Sequence, residues 1–122
     1  MKKLIIIIEI IAIMFLVSVQ TPEAEQKYFL LTSTAYYPGA ESCYPFDDGL
    51  TAIGHKAGYG SIAIDPKNGP LKMEQRVYIE GYGHGVCNDV GGAIKGWRID
   101  VCFNTYEEAV EWGVKLVKVY VQ

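Results

Sequence analysis

The sequence predicts a small, mainly β domain, closed or nearly closed into a barrel, with one short helix near its C-terminus. Three observations carry this. Short runs rich in aromatic, β-branched and apolar residues recur along the chain, each stopped by glycine, proline or asparagine. A single segment carries both helix-start and helix-stop residues. Behind an apolar leader only residues 27–122 remain, near the smallest size that buries its own core, and closing the sheet hides edges it would otherwise expose.

Residues 1–26 differ in kind from the rest. Met1-Lys2-Lys3 gives a positive start, residues 4–19 are apolar apart from Glu9 and Ser18, and residues 20–26 are polar with Pro22. Basic, apolar, then polar is the order of an export signal. The apolar run is somewhat shorter than the ~20 residues of a spanning helix. Cleavage near Ala24 and retention as a membrane anchor both stay open. Either way the chain is expected outside the cytoplasm, in the wall or at the outer face of the membrane, and touching the membrane only through this segment.

The elements follow in order. Residues 28–36 (YFLLTSTAY) form a strand that halts at Pro38-Gly39. Residues 40–50, with Pro45, Asp47, Asp48 and Gly49, form a loop. Residues 51–53 are expected as a short strand before the glycine-punctuated stretch 54–60. Residues 61–65 form a compact apolar strand, and Asn68-Gly69-Pro70 a turn. Residues 76–80 alternate as a half-buried strand does. Residues 85–90 and 98–103 are two more strands. Thr105 and Glu108 fit a capping box, with Gly113 in the terminating place of the helix between them. Residues 114–121 return as a strand to the core, with Val114, Leu116, (Val117), Val119 and Val121 alternating against Lys115, Lys118 and Tyr120.

Charge narrows the function. Residues 27–122 hold nine Lys and Arg against eleven Asp and Glu, a net of −2, with no basic stripe interleaved with aromatics. That excludes nucleic acid as a partner. Cys43, Cys87 and Cys102 make no C-x-x-C pair, and His55 and His84 are not spaced with them as zinc ligands are. No metal or organic cofactor is indicated.

The richest stretch is DVGGAIKGWRID, residues 89–100. Asp89 and Asp100 bracket a loop with Gly91, Gly92, Gly96 and Lys95, and upstream Asp65 ends an apolar run ahead of Pro66. Glycines let backbone approach a ligand. Neighbouring carboxylates are how a protein splits pKa values into an acid and a base. If the strands flanking this loop pair with Asp89 opposite Asp100, then Cys87 falls opposite Cys102, and a Cys87–Cys102 disulfide behind the acids is one expectation. Two buried thiols packing as small hydrophobes are the other.

These residues resemble a known family. Thr34-Ala35-Tyr36, Thr51-Ala52-x-Gly54, Ile62-Ala63-Ile64-Asp65-Pro66, Val77-Tyr78-Ile79, Gly81-Tyr82-Gly83, Asp89-x-Gly91-Gly92-Ala93-Ile94-Lys95-Gly96 and Arg98-Ile99-Asp100 occur in the order seen in 3D domains, named for three aspartates. The resemblance runs from about residue 30 to the C-terminus. It implies a double-psi β-barrel, as in the catalytic domain of membrane-bound lytic transglycosylase A and in small cell-wall proteins of spore-forming bacteria. It implies cleavage of the β-1,4 bond between N-acetylmuramic acid and N-acetylglucosamine in peptidoglycan, with a 1,6-anhydro end and no added water. Peptidoglycan glycan strands are then the partner. Asp100 is the implied acid/base, Asp89 lies beside it, and Asp65 helps form the site. Two departures stand out: Val90 replaces a common threonine, and residues 67–74 replace the usual turn after Asp65-Pro66.

Each residue also has a plainer role. Asp100, in the apolar setting Ile99-Asp-Val101, gains the raised pKa that a leaving glycosidic oxygen requires, or it pairs structurally with Arg98 or Lys95. Asp89 supports Asp100 or caps the Gly91-Gly92 turn. Asp65 serves the site or starts a turn. Gly91 and Gly92 present backbone donors to a sugar or only turn tightly, and Lys95 binds substrate or is solvated. Tyr36 stacks on a sugar or packs in the core. Trp97 lines a groove or packs under the loop, and His55 and His84 take no catalytic part. A non-catalytic wall-binding module, or a hydrolase using water, are the competing functions.

Overall fold

The computed structural model describes residues 24–39 and 49–122. The predicted leader therefore lies outside the described residues except for 24–26, which carry no regular structure. The predicted loop at 40–48, with Cys43, lies outside them too. Six strands and one helix follow: β1 (Phe29–Tyr36), β2 (Ser61–Ala63), β3 (Arg76–Ile79), β4 (Gly83–Asp89), β5 (Arg98–Cys102), α1 (Tyr106–Trp112) and β6 (Lys115–Val121). They close into a barrel in the order β1-β5-β2-β4-β3-β6. The mainly β barrel with one C-terminal helix that the sequence predicts is what forms. Among the described residues no helix is long and apolar enough to cross a membrane.

Two of the six contacts are parallel, β1 with β5 and β2 with β4. The other four are antiparallel. Alternate residues point inward: Leu31 on β1, Ile62 on β2, Val77 and Ile79 on β3, Cys87 on β4, Ile99 and Val101 on β5, and Val117 and Val119 on β6 make one buried cluster. Burying each of the larger aliphatics is worth about 1.5–3 kcal/mol, which is where a domain this small finds its stability. Ser33 is polar yet fully buried. Its hydroxyl accepts from Trp112 Nε1 at 3.1 Å, so the helix docks on β1 with no polar atom stranded at that contact.

The helix begins as predicted, with one change of detail. Thr105 Oγ1 accepts from the Glu108 amide at 3.2 Å and donates to Glu108 Oε1 at 2.9 Å. The Glu108 carboxylate thus meets the hydroxyl of Thr105. Gly113 ends the helix at φ 66°.

Three expectations are corrected. Residues 51–53 form a turn, because Thr51 Oγ1 takes the His55 amide and the Thr51 carbonyl takes the Gly54 amide. Only a single bridge, Leu50 to Lys56, remains of the expected strand. On β6 the inward set is Val117, Val119 and Val121, while Leu116, along with Val114 just before the strand, is exposed. Finally, β4 and β5 do not pair. β2 is inserted between them, with Ile62 opposite Cys87 on one side and Val101 on the other. Strands one removed lie about 9–10 Å apart, beyond the ~7 Å reach of a disulfide. Cys87 and Cys102 are therefore buried thiols that are not bridged to each other, and they pack in different clusters.

Candidate active site

The acids sit on the outer face of the barrel, where β1, β5, β2 and β4 lie side by side. Ala63 is in register with Asp100 on β5 and with Asp89 on β4. A bulge between Ile62 and Ala63 sets this register, and Ala63 itself is buried with Tyr36, Ile94 and Cys102. On the other flank of β5, Thr34 is opposite Asp100 and Tyr36 opposite Cys102. Thr34 and Tyr36 are two residues apart on one strand, so both side chains face the acids.

Asp100 is held at one oxygen. Thr34 Oγ1 donates to its Oδ1 at 3.0 Å, and among the described residues no hydrogen bond reaches Oδ2. Burial pushes its carboxyl up to about 6; the Thr34 hydrogen bond and the Arg98 guanidinium pull it down, and the charge of Asp89 adds to the rise. Such a group is a usable proton donor near neutrality.

Asp89 is held at both oxygens. Oδ2 accepts from the Tyr36 hydroxyl at 3.1 Å. Oδ1 accepts from the amides of Ala52 at 3.0 Å and Val90 at 2.9 Å. This is a fixed carboxylate, tying the loop at residues 50–57 to the site. Tyr36 is buried with Ala63, Ile94 and Cys102. Its ring is packed and its hydroxyl serves Asp89, so it is placed as a support of the acid, with no face open for a sugar. Burial chiefly, then the nearby Cys102 and Asp89, push its phenol upward, so it stays a neutral donor.

Asp65 stands one step away. Its Oδ1 takes the amides of Lys67 and Asn68 at 3.1 and 3.2 Å, and its Oδ2 takes the Gly96 amide at 2.8 Å. The Gly96 hydrogen bond leads the effects that hold its carboxyl below the usual range, against burial; the Lys95 charge contributes last. Asp65 thereby pins the far end of the loop joining Asp89 to Asp100. Directly beneath, Gly69 packs so closely that a Cβ there would lie 2.5 Å from the Gly96 carbonyl and 2.7 Å from that of Asp65. The unusual turn at 67–70 is thus shaped to fit the glycine loop.

Within that loop, the Gly91 carbonyl accepts from the Ile94 amide at 3.1 Å, closing a turn. Gly92 and Lys95 are exposed. Trp97 is 55% exposed and meets Phe29 edge-on at 5.7 Å. His84 lies against Tyr78 and Gln122, away from the acids. Among the described residues no group of three His, Cys, Asp or Glu side chains gathers as metal ligands do. Thr34 and Ala63 were the residues sequence reasoning passed over. The T-x-Y spacing on β1 was the available signal for Thr34; nothing local marks Ala63.

The 3D domain profile matches residues 60–122, β2 through β6. The chain belongs to the 3D domain family. Among other 3D domain relatives it is 38% identical, over 101 residues, to YabE of Bacillus subtilis (strain 168), a protein named for cell wall shaping. That match takes in 80% of this chain and 23% of YabE. It is 50% identical over 60 residues to YocH of the same strain, named a cell wall-binding protein, covering 49% of this chain and 20% of YocH. The chain thus spans about a fifth to a quarter of the length of these relatives.

Proposed function

We propose that this 3D domain is a peptidoglycan lytic transglycosylase with Asp100 as its single acid/base. The observation that carries the reading is the half-held carboxyl of Asp100, shifted to about 6 and, among the described residues, taking no hydrogen bond at Oδ2. Protonated, it gives its proton to the glycosidic oxygen as the bond from C1 of N-acetylmuramic acid breaks. As carboxylate, it then takes the proton of the C6 hydroxyl of the same sugar while that oxygen bonds to C1. The acid is regenerated, the end is 1,6-anhydro, and no water is consumed. Asp89, fixed by three donors, holds negative charge beside the developing positive charge at C1. Gly91, Gly92 and Lys95 line the approach of the glycan. The relatives named for cell wall shaping and binding support the choice of polymer. Export by residues 1–26 belongs to the same proposal, since this substrate lies outside the cytoplasmic membrane.

A second reading, binding without cleavage, is favoured by the name of YocH. Digestion of purified peptidoglycan followed by mass spectrometry separates them. Anhydro-ended fragments from the wild type, reduced about 10²–10⁴-fold in Asp100→Asn, are the expected outcome. Fragments heavier by one water would indicate hydrolysis, and no release would indicate binding alone.

A further inference from the structure

The outer face of β4 carries a groove that the acids do not use. It has a volume of about 490 Å³ and is lined by His55, Lys56, Arg76, His84, Asn88 and Gln122, among others, and among the described residues no Asp or Glu side chain lines it. On a chain of net charge −3, two fixed cations and two imidazoles around one hollow mark a place for an anion. The groove and the acid site share a strand, β4. Val86 and Asn88 line it, and Asp89 is the next residue, so from Val86 to Asp89 is about 10 Å along the strand.

One further observation narrows the ligand. Asn88 is 6% exposed, and its Oδ1 accepts no hydrogen bond, although Nδ2 reaches Ser61 Oγ at 3.4 Å. A buried acceptor left open costs about 1–3 kcal/mol unless a donor arrives. A ligand that satisfies both features brings carboxylates for Lys56 and Arg76 and an N–H for Asn88, whose covered Oδ1 must turn toward the groove to meet it. A peptide has both; a phosphate polymer has no N–H to give.

We propose that this groove holds the peptide branch of the glycan strand cleaved at Asp100, its carboxylates on Lys56 and Arg76 and a backbone amide on Asn88. This rests on the reading of peptidoglycan as substrate, whose peptide branches leave alternate sugars and carry free carboxylates a few residues out, within the ~10 Å from Asp89 to Val86. Branched strands would then be oriented with a chosen sugar over the acids, and bare glycan would not.

The test uses Asp100→Asn protein, to keep substrate intact, and two peptidoglycan preparations freed of phosphate polymers. One retains its peptides and the other has lost them to an amidase. Peptide-bearing strands are expected to bind about tenfold more tightly. Adding Lys56→Ala and Arg76→Ala, both at exposed positions, removes that preference and leaves binding to bare glycan. The charge-keeping pair Lys56→Arg and Arg76→Lys retains it. Equal binding of the two preparations, or a preference that survives loss of both cations, overturns the proposal. So does a preference restored by phosphate polymer in place of peptide. Cleavage by Asp100→Asn at the wild-type rate would overturn the role of Asp100 while leaving the groove judged by its own preference.

Discussion

Asp100 carries the cost of the site on its own carboxyl. Its pKa is higher in the folded chain than the ordinary carboxylate value, burial being the chief cause. A group raised on folding contributes stability below its unfolded pKa and loses it as pH climbs through the folded value. Ionised at pH 7–8, Asp100 therefore strains the fold. Asp100→Asn is expected to gain about 1–3 kcal/mol in urea unfolding at pH 7.5 while losing cleavage, and to gain little at pH 4. The same carboxyl sets the pH profile, since the donor form is required: kcat/KM falls above about 6. Thr34 opposes the rise, so Thr34→Val moves that limb to higher pH; an unmoved limb would assign Thr34 to packing alone. The three aspartates were legible in the sequence because Asp89 and Asp100 bracket a glycine-rich loop and Asp65 ends an apolar run ahead of Pro66. Thr34 and Ala63 were not, because an ordinary strand residue acquires such a role only through the register of its neighbours.

At the scale of elements, strand positions were readable from alternation and punctuation, and strand partners were not. Residues 85–90 and 98–103 are joined by a glycine-rich loop, and a hairpin is the local solution. The chain instead places β2 between them, a choice made by distant contacts. The loop crosses β2 and must be pinned at its far end, which is the work of Asp65 and Gly69. Gly69→Ala puts a methyl against two backbone carbonyls that no side-chain rotation relieves. A loss of about 1–3 kcal/mol is expected, read by urea unfolding, together with faster amide exchange at Gly96. Asp65→Asn should speed the same exchange through the loss of its charge. If Gly96 exchanges normally in both, the loop is held by something else.

For the whole molecule, closure means that none of the six described strands is left with a free edge, and the interior opens only when the barrel does. Cys87 is fully buried within it, its thiol pushed up to about 12 by burial. Alkylation of Cys87 should therefore track global unfolding, remaining negligible in native buffer and appearing at the urea midpoint; labelling well below that midpoint would reveal a local opening of β4. That the barrel closes was legible from chain length and strand count. Its two parallel contacts were not, because a parallel pair joins segments far apart in sequence and no turn between them announces it.

The placement of Ala63 between the acids has a further consequence. Because β2 is hydrogen-bonded to both β4 and β5, the backbone gap between Asp89 and Asp100 is counted in whole strands, two ladder steps, and behaves as a ruler with fixed divisions. Acids on loops can drift apart by insertion or hinge motion; these two cannot. Evolution of this site toward other bonds has one fine adjustment left to it, the single methylene that separates aspartate from glutamate.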